Sequence, residues 1–182
     1  MSSPHLPNPS GLPPERARAR ALRVDHAGEY GAVRIYAGQR AVLRDPQTAP
    51  LLAHMEEEER RHLRAFEKRL ADEGVRPTAL LPLWHVAGFA LGAATALLGR
   101  EAAMACTVAV EEVIDGHYAR QIAELAPRDP ELAATLESFR ADELAHRDTG
   151  LAEGAERAPA YPLLSTVIKA GCRIAIALSE IL

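Results

Sequence analysis

The chain carries one pattern of metal-binding residue types twice. Glu29 is followed 30 residues later by the Glu-x-x-His motif Glu59 to His62, and Glu111 is followed 32 residues later by the second motif, Glu143 to His146. On a helix, positions i and i+3 share a face, so the Glu and His of each motif project together. The midpoint of the first interval falls beside Asp45 and Pro46, and that of the second at Pro127. Proline halts a helix at such points. Two helices folding back there set each isolated Glu level with its Glu-x-x-His. Two such hairpins packed together bring four carboxylates and two imidazoles to one height inside a four-helix bundle.

A single Glu-x-x-His on a charged helix ordinarily marks a solvated face, and residues 56–61 (EEEERR) look like one in isolation. Glu111 differs, because residues 103–110 (AMACTVAV) precede it in a strongly apolar helix. A carboxylate buried there needs a partner, since an unpaired buried charge is very costly. Carboxylates are hard ligands able to bridge two metals, and imidazole adds a neutral donor to each. Zinc more often takes a smaller set containing Cys or additional His. The duplicated set therefore predicts two iron ions, held as in carboxylate-bridged di-iron bundles.

The expected fold is all-α: a ferritin-like four-helix bundle with a di-iron core, plus two additional apolar helices. Helices are expected over about 14–43, 48–72, 80–98, 100–125, 130–154 and 162–182. No segment alternates with period two, so no sheet is expected. With 182 residues, 48% hydrophobic but only 4% aromatic, the composition favours closely packed helices over a β-sandwich. Residues 1–14, rich in Pro and Ser, are expected to form a disordered tail, and residues 15–182 a single domain. The tail lacks the apolar core of a secretory signal, and the arginine-rich run at 15–23 reads as the solvated start of the first helix. A net charge of −4 without a basic stripe gives no attraction to nucleic acid. Cys106 and Cys172 lack CxxC spacing and read as buried reduced thiols.

Other residues extend the pattern. Tyr36 lies seven residues after Glu29 and Tyr118 seven after Glu111, two turns along nearly the same face. They read either as aromatic core filling or as relays of protons or electrons beside the metals. Asp25 and Asp115 are candidates to hold the second nitrogen of a ligand histidine, with surface aspartates as the alternative. His26 and His117 suit a polar network better than ligation. His54 reads as a surface residue, His85 as an interfacial one, and His5 falls in the tail.

Several strings resemble the demethoxyubiquinone hydroxylase family: residues 22–39 (LRVDHAGEYGAVRIYAGQ), 106–112 (CTVAVEE), 142–146 (DELAH), 158–161 (APAY) and 170–173 (AGCR). The resemblance runs from about residue 20 to 182. It implies that the family's six iron ligands fall on Glu29, Glu59, His62, Glu111, Glu143 and His146. It also implies that His117 and Tyr118 match a His-Tyr pair near the family's active site. The activity implied is hydroxylation of a demethoxyubiquinol ring by O2 in ubiquinone biosynthesis, with NADH as reductant. No glycine-rich dinucleotide motif follows a strand in this chain, in keeping with a reductant used without a separate nucleotide-binding domain.

The apolar segments at 80–98 and 162–182 exceed what a four-helix metal bundle needs. No Asp, Glu, Lys or Arg occurs between Arg76 and Arg100, a length able to span a bilayer, but Pro82, Gly88, Gly92 and Gly99 interrupt it. Lys169 and Arg173 lie four apart on the last helix. Apolar surface with a few cations suits an element lying in the membrane interface, with a helix pair or oligomer interface as the alternative. The expected partners are thus a polyprenyl quinone, O2 and a membrane surface, with a quinone-presenting protein or a homo-oligomer left open. The expected location is the cytoplasmic face of the cell membrane, or the mitochondrial inner membrane in a eukaryote. The competing reading is a ferritin-like iron-storage or peroxide-detoxifying protein, against which the two apolar segments argue.

Overall fold

In the computed structural model, which describes residues 13–182, six helices account for the fold: α1 (Pro14–Val42), α2 (Thr48–Asp72), α3 (Leu81–Leu97), α4 (Arg100–Leu125), α5 (Pro130–Ala152) and α6 (Tyr161–Ile181). No strand occurs among the described residues. Most of the expected tail lies outside them. Helix boundaries differ from expectation by at most two residues. One feature was not foreseen, a single 3₁₀ turn at Ala155–Arg157 between α5 and α6.

The turns form where local chemistry demands them. The Asp45 carboxylate accepts from the backbone N–H groups of Gln47 and Thr48 at 3.1 and 2.9 Å, supplying donors at the start of α2 with a partner. Asp129 does the same for α5, accepting from Leu132 N–H at 3.1 Å ahead of a Pro in the first turn. At the end of α2, Gly74 takes the left-handed conformation (φ +63°). Its N–H bonds to Ala71 and that of Val75 to Leu70, closing the helix with the double bond typical of such glycine ends.

Helices α1 and α2 form one hairpin, α4 and α5 the other, and their inner faces make the core. A layer of polar side chains crosses its middle. On one side Tyr36 packs with Leu52, Met55, Met104 and Val108, and on the other Tyr118 packs with Leu22, Phe66, Leu132 and Leu136. These two apolar layers exclude water from the level between them.

Helix α3 crosses back outside α1 and delivers the chain to α4. A Cβ added to Gly88 would stand 2.9 Å from the carbonyl oxygen of Gly31, and one at Gly92 would collide with that of Ile35. These glycines therefore do not interrupt the helix, as the sequence suggested. They let two helices approach almost backbone to backbone. The break falls at Gly99, with φ +118°. At 17 residues α3 is shorter than the expected bilayer-length stretch, whereas α6, at 21 residues, is long and apolar enough to cross a membrane by length and composition. The Trp84 indole donates to Ser179 Oγ at 3.0 Å and ties α3 to α6. Both helices expose large apolar side chains, including Leu83, Val86 and Leu97 on α3 and Leu163, Val167 and Ile174 on α6.

Candidate metal centre

Glu29, Glu59, His62, Glu111, Glu143 and His146 all project into the polar layer and are almost completely buried. They fall into two groups, Glu29 with Glu59, His62 and Glu143, and Glu111 with Glu59, Glu143 and His146. Within each, one potential ligand atom per residue lies within 4.8 Å of all the others. Glu59 and Glu143 belong to both. With two cations bound, Glu59 and Glu143 would be the residues common to both, and carboxylates are hard ligands suited to such sharing.

The outward nitrogens of the imidazoles are held by acids on the opposite hairpin. His62 Nε2 lies 3.0 Å from Asp142 Oδ2, and His146 Nε2 lies 2.9 Å from Glu58 Oε2. With Nε2–H donating to a carboxylate, Nδ1 carries the lone pair and faces the cluster. Stacking on Phe139, with ring centroids 4.1 Å apart, further fixes the plane of His62.

Inside the cluster the polar atoms converge without pairing. His62 Nδ1 lies 3.1 Å from Glu143 Oε1, and His146 Nδ1 lies 3.0 Å from Glu59 Oε1. Neither contact is aligned as a hydrogen bond, and both Glu143 oxygens, Glu29 Oε2 and Glu59 Oε1 also lack a bonding partner among the described residues. Buried polar atoms left in this way are costly. Lone pairs converging on one another are what a cation requires, so the residues fit a metal pair.

Electrostatics agree. Burial, together with the neighbouring Glu143 charge, pushes the Glu59 and Glu111 carboxyls well above the usual range. Burial also acts on Glu143, but His146 and His62 outweigh it and hold that carboxyl down at about 2. Where protons alone balance the acids, burial depresses the imidazoles. The nearby carboxylates, Glu143 foremost, reverse this, raising His62 to about 11 and His146 to about 9. The cluster attracts positive charge, as protons or as metal.

Each tyrosine reaches across the bundle. Tyr36 on α1 donates to Glu111 Oε1 on α4 at 3.2 Å, and Tyr118 on α4 donates to Glu29 Oε1 on α1. Burial pushes both phenols well above 10, so they remain donors. His117 Nε2 lies 3.2 Å from Asp25 Oδ1, within the polar network expected of His117.

The expectation for Asp25 and Asp115 needs correction. Asp25 holds His117, not a candidate ligand, and Asp115 accepts from Arg140 Nε at 2.6 Å. The acids that do hold His62 and His146 are Asp142 and Glu58, which the sequence reading passed over. The signal was present: an acid directly precedes the Glu of both Glu-x-x-His motifs. His26 is buried, and its Nδ1 has no hydrogen-bond partner among the described residues. His54 is exposed beside Glu58, and His85 bonds the Tyr30 hydroxyl at 2.7 Å. Cys106 and Cys172 are unbridged, and burial raises both thiols to about 12. Lys169 is not a free cation, because it pairs with Glu112 on α4.

A small cavity at the cluster shares part of its wall with a larger cleft. The small cavity, of about 20 Å³, is bordered by Glu29, Glu59, Glu111, Glu143 and Tyr118. The larger, apolar cleft of about 320 Å³ opens between α1, α3, α4 and α6. Val24, Gly28, Ala32, Ile114 and Ile176 line both.

A helical bundle with a buried set of four glutamates and two histidines able to hold metal defines a carboxylate–histidine protein of the ferritin-like class. Residues 16–179 match the model of the family described as ubiquinone biosynthesis protein COQ7, and the chain belongs to that family. Over 162 residues it is 59% identical to the 3-demethoxyubiquinol 3-hydroxylase of Rhodospirillum rubrum, covering 88% of this chain and 76% of that one. It is 57% identical over 165 residues to the NADPH-dependent 3-demethoxyubiquinone 3-hydroxylase, mitochondrial, of Mus musculus, with the same coverage of each chain. Identity is 43% over 174 residues to the 5-demethoxyubiquinone hydroxylase, mitochondrial, of Saccharomyces cerevisiae, covering 86% of this chain and 75% of that one. The chain is an oxidoreductase of the hydroxylase type.

Proposed function

We propose that this chain hydroxylates the ring of a demethoxyubiquinol, with O2 as oxidant and NADH as the source of electrons. One oxygen atom would be inserted into a ring C–H bond to give a hydroxyl, and the other would leave as water, with two electrons and two protons supplied. The observation that carries the reading is the apolar cleft, which shares its inner wall with the cavity at the carboxylate cluster. An iron-storage protein has no use for an apolar cleft of about 320 Å³ walled against its carboxylate cluster.

Glu29, Glu59, His62, Glu111, Glu143 and His146 would hold two iron ions. Iron there would supply the redox chemistry that activates O2 for insertion into a ring C–H bond. The chain's own residues do the rest. The apolar cleft takes the ring and the first part of the tail, orienting a ring carbon toward the cluster. Tyr118 keeps a proton on the Glu29 side and Tyr36 on the Glu111 side, and the layers above and below exclude water. His117, set against Asp25 and bordering the small cavity, would exchange protons with the substrate hydroxyls.

A polyprenyl quinol resides in lipid, and α3 and α6, which wall the cleft, also expose large apolar side chains. This supports peripheral attachment to a membrane by those faces. In a bacterium that membrane would be the cell membrane at its cytoplasmic face; in a eukaryote, the mitochondrial inner membrane, in keeping with the names of the eukaryotic relatives. Iron-loaded protein given NADH, O2 and a demethoxyquinone should yield a product one oxygen atom heavier. NADH oxidation with no such product would overturn the reading.

A further inference from the structure

Helix-interior glycines cost about 1 kcal/mol relative to alanine, so each asks for a reason. Close backbone packing supplies one at Gly88 and Gly92. It supplies none at Gly28, Gly31 or Gly171. A Cβ would meet nothing within 4 Å at Gly31 and Gly171, and at Gly28 it would meet only Ile114 Cδ1, at an ordinary 3.9 Å. All three line the apolar cleft. Their common effect is to leave its walls bare.

The inner end is narrow. The cavity beside the cluster holds about 20 Å³, against about 320 Å³ outside it. That inner volume is about one water-sized probe and far below a substituted aromatic ring. Of the shared wall, Ile114 on α4 and Ile176 on α6 carry the longest side chains, both half-buried. Beyond them stand the unbonded oxygens of Glu29 and Glu143.

Building on the hydroxylase reading, we propose that Ile114 and Ile176 form a gate against the bare backbone of Gly28, and that this gate decides which ring reaches the metals. The outer cleft binds the ring and tail whether the gate is open or closed. Rotation of the two isoleucine side chains into the space left by Gly28 admits the ring to the cluster. Because Gly28 lines both cavities, a side chain there would narrow the passage between them. The gate therefore selects on ring substituents, whereas the outer cleft selects on apolarity.

Trp84, the single tryptophan of the chain, lines the outer cleft and reports on its occupancy. A tail-bearing demethoxyquinone should quench its emission, while arrival of the ring should perturb the absorption of the iron-loaded cluster. Because Ile114 also borders the outer cleft, Ile114→Phe is read as a ratio: the cluster perturbation and product formation should fall at least about tenfold further than the affinity reported by quenching. Ile114→Ala should raise the turnover of a ring bearing a bulkier alkoxy group at least about fivefold relative to the natural ring. The gate is wrong if Ile114→Phe perturbs the cluster normally, if it loses quenching together with turnover, or if Ile114→Ala leaves ring preference unchanged. Wild-type protein that shows both spectral responses without hydroxylated product would instead refute the hydroxylase reading and leave the gate standing.

Discussion

The Tyr36 hydroxyl on α1 donates across the bundle to Glu111 Oε1 on α4 at 3.2 Å. Tyr118 on α4 returns the contact to Glu29 on α1. The two hairpins are thus joined by reciprocal bonds related by the sequence repeat, and so are their imidazoles, His62 to Asp142 and His146 to Glu58. Each half of the site depends on residues from the other half.

The tyrosines are not equivalent, because only Tyr118 lines the cavity reached from the cleft. Tyr118→Phe keeps the ring and removes the proton beside Glu29. Product should form at least about tenfold more slowly, a barrier increase of roughly 1.4 kcal/mol, with near-normal iron content and helicity. Tyr36→Phe should slow turnover less. Equal rates in Tyr118→Phe and wild type would reduce Tyr118 to core filling.

The acids behind the imidazoles should tune metal binding without contacting metal. Asp142→Asn removes the charge that orients His62 and should weaken iron binding roughly 10- to 100-fold. Glu58→Gln should do the same through His146. Titration with ferrous iron under anaerobic conditions checks this, and unchanged affinity in both variants would refute the role.

Metal loading should release protons. Without metal, His62 at about 11 and His146 at about 9 are both protonated at pH 7, so binding expels at least those two protons. Apparent affinity should therefore rise with pH through about 9 and on toward about 11. These raised values also stabilise the metal-free fold. That contribution is complete below the ordinary imidazole value of 6.5 and disappears as pH climbs through the folded values. The Tm of metal-free protein should accordingly fall between pH 7 and 10 on this account. Calorimetry in buffers of different ionisation enthalpy counts the protons, and fewer than about two released at pH 7 contradicts it.

Attachment to lipid should depend on apolar side chains more than on charge. Lys169 is engaged by Glu112, leaving Arg173 as the more exposed cation of α6. Arg173→Glu should weaken flotation with anionic liposomes modestly, on the order of 1 kcal/mol per cation. Leu163→Glu with Ile174→Glu should abolish it. Flotation that survives the double change would remove α6 from the docking surface.

Much of the site was legible because it depends on helical period and turn position, both written locally. Glu59 with His62 and Glu143 with His146 share faces by spacing alone, and Asp45 with Pro46 and Asp129 with Pro130 mark the reversals. What escaped depends on contacts between helices. The pairing of His62 with Asp142 crosses from α2 to α5: the acid beside each Glu-x-x-His marks a candidate, but which imidazole it meets is set only by how the helices pack. Gly88 and Gly92 read as interruptions because a glycine looks alike in sequence whether it breaks a helix or admits a neighbouring backbone. Lys169 read as a free cation because Glu112 reaches it only once α6 lies on α4.

Iron content tests the central claim most directly. Wild-type protein grown with iron should hold about two iron ions per chain, as the two overlapping ligand groups require. Glu59→Ala with Glu143→Ala removes the carboxylates common to both groups and should leave almost none, with helical circular dichroism mostly retained. Iron near two per chain in that double variant would show that the metals lie elsewhere.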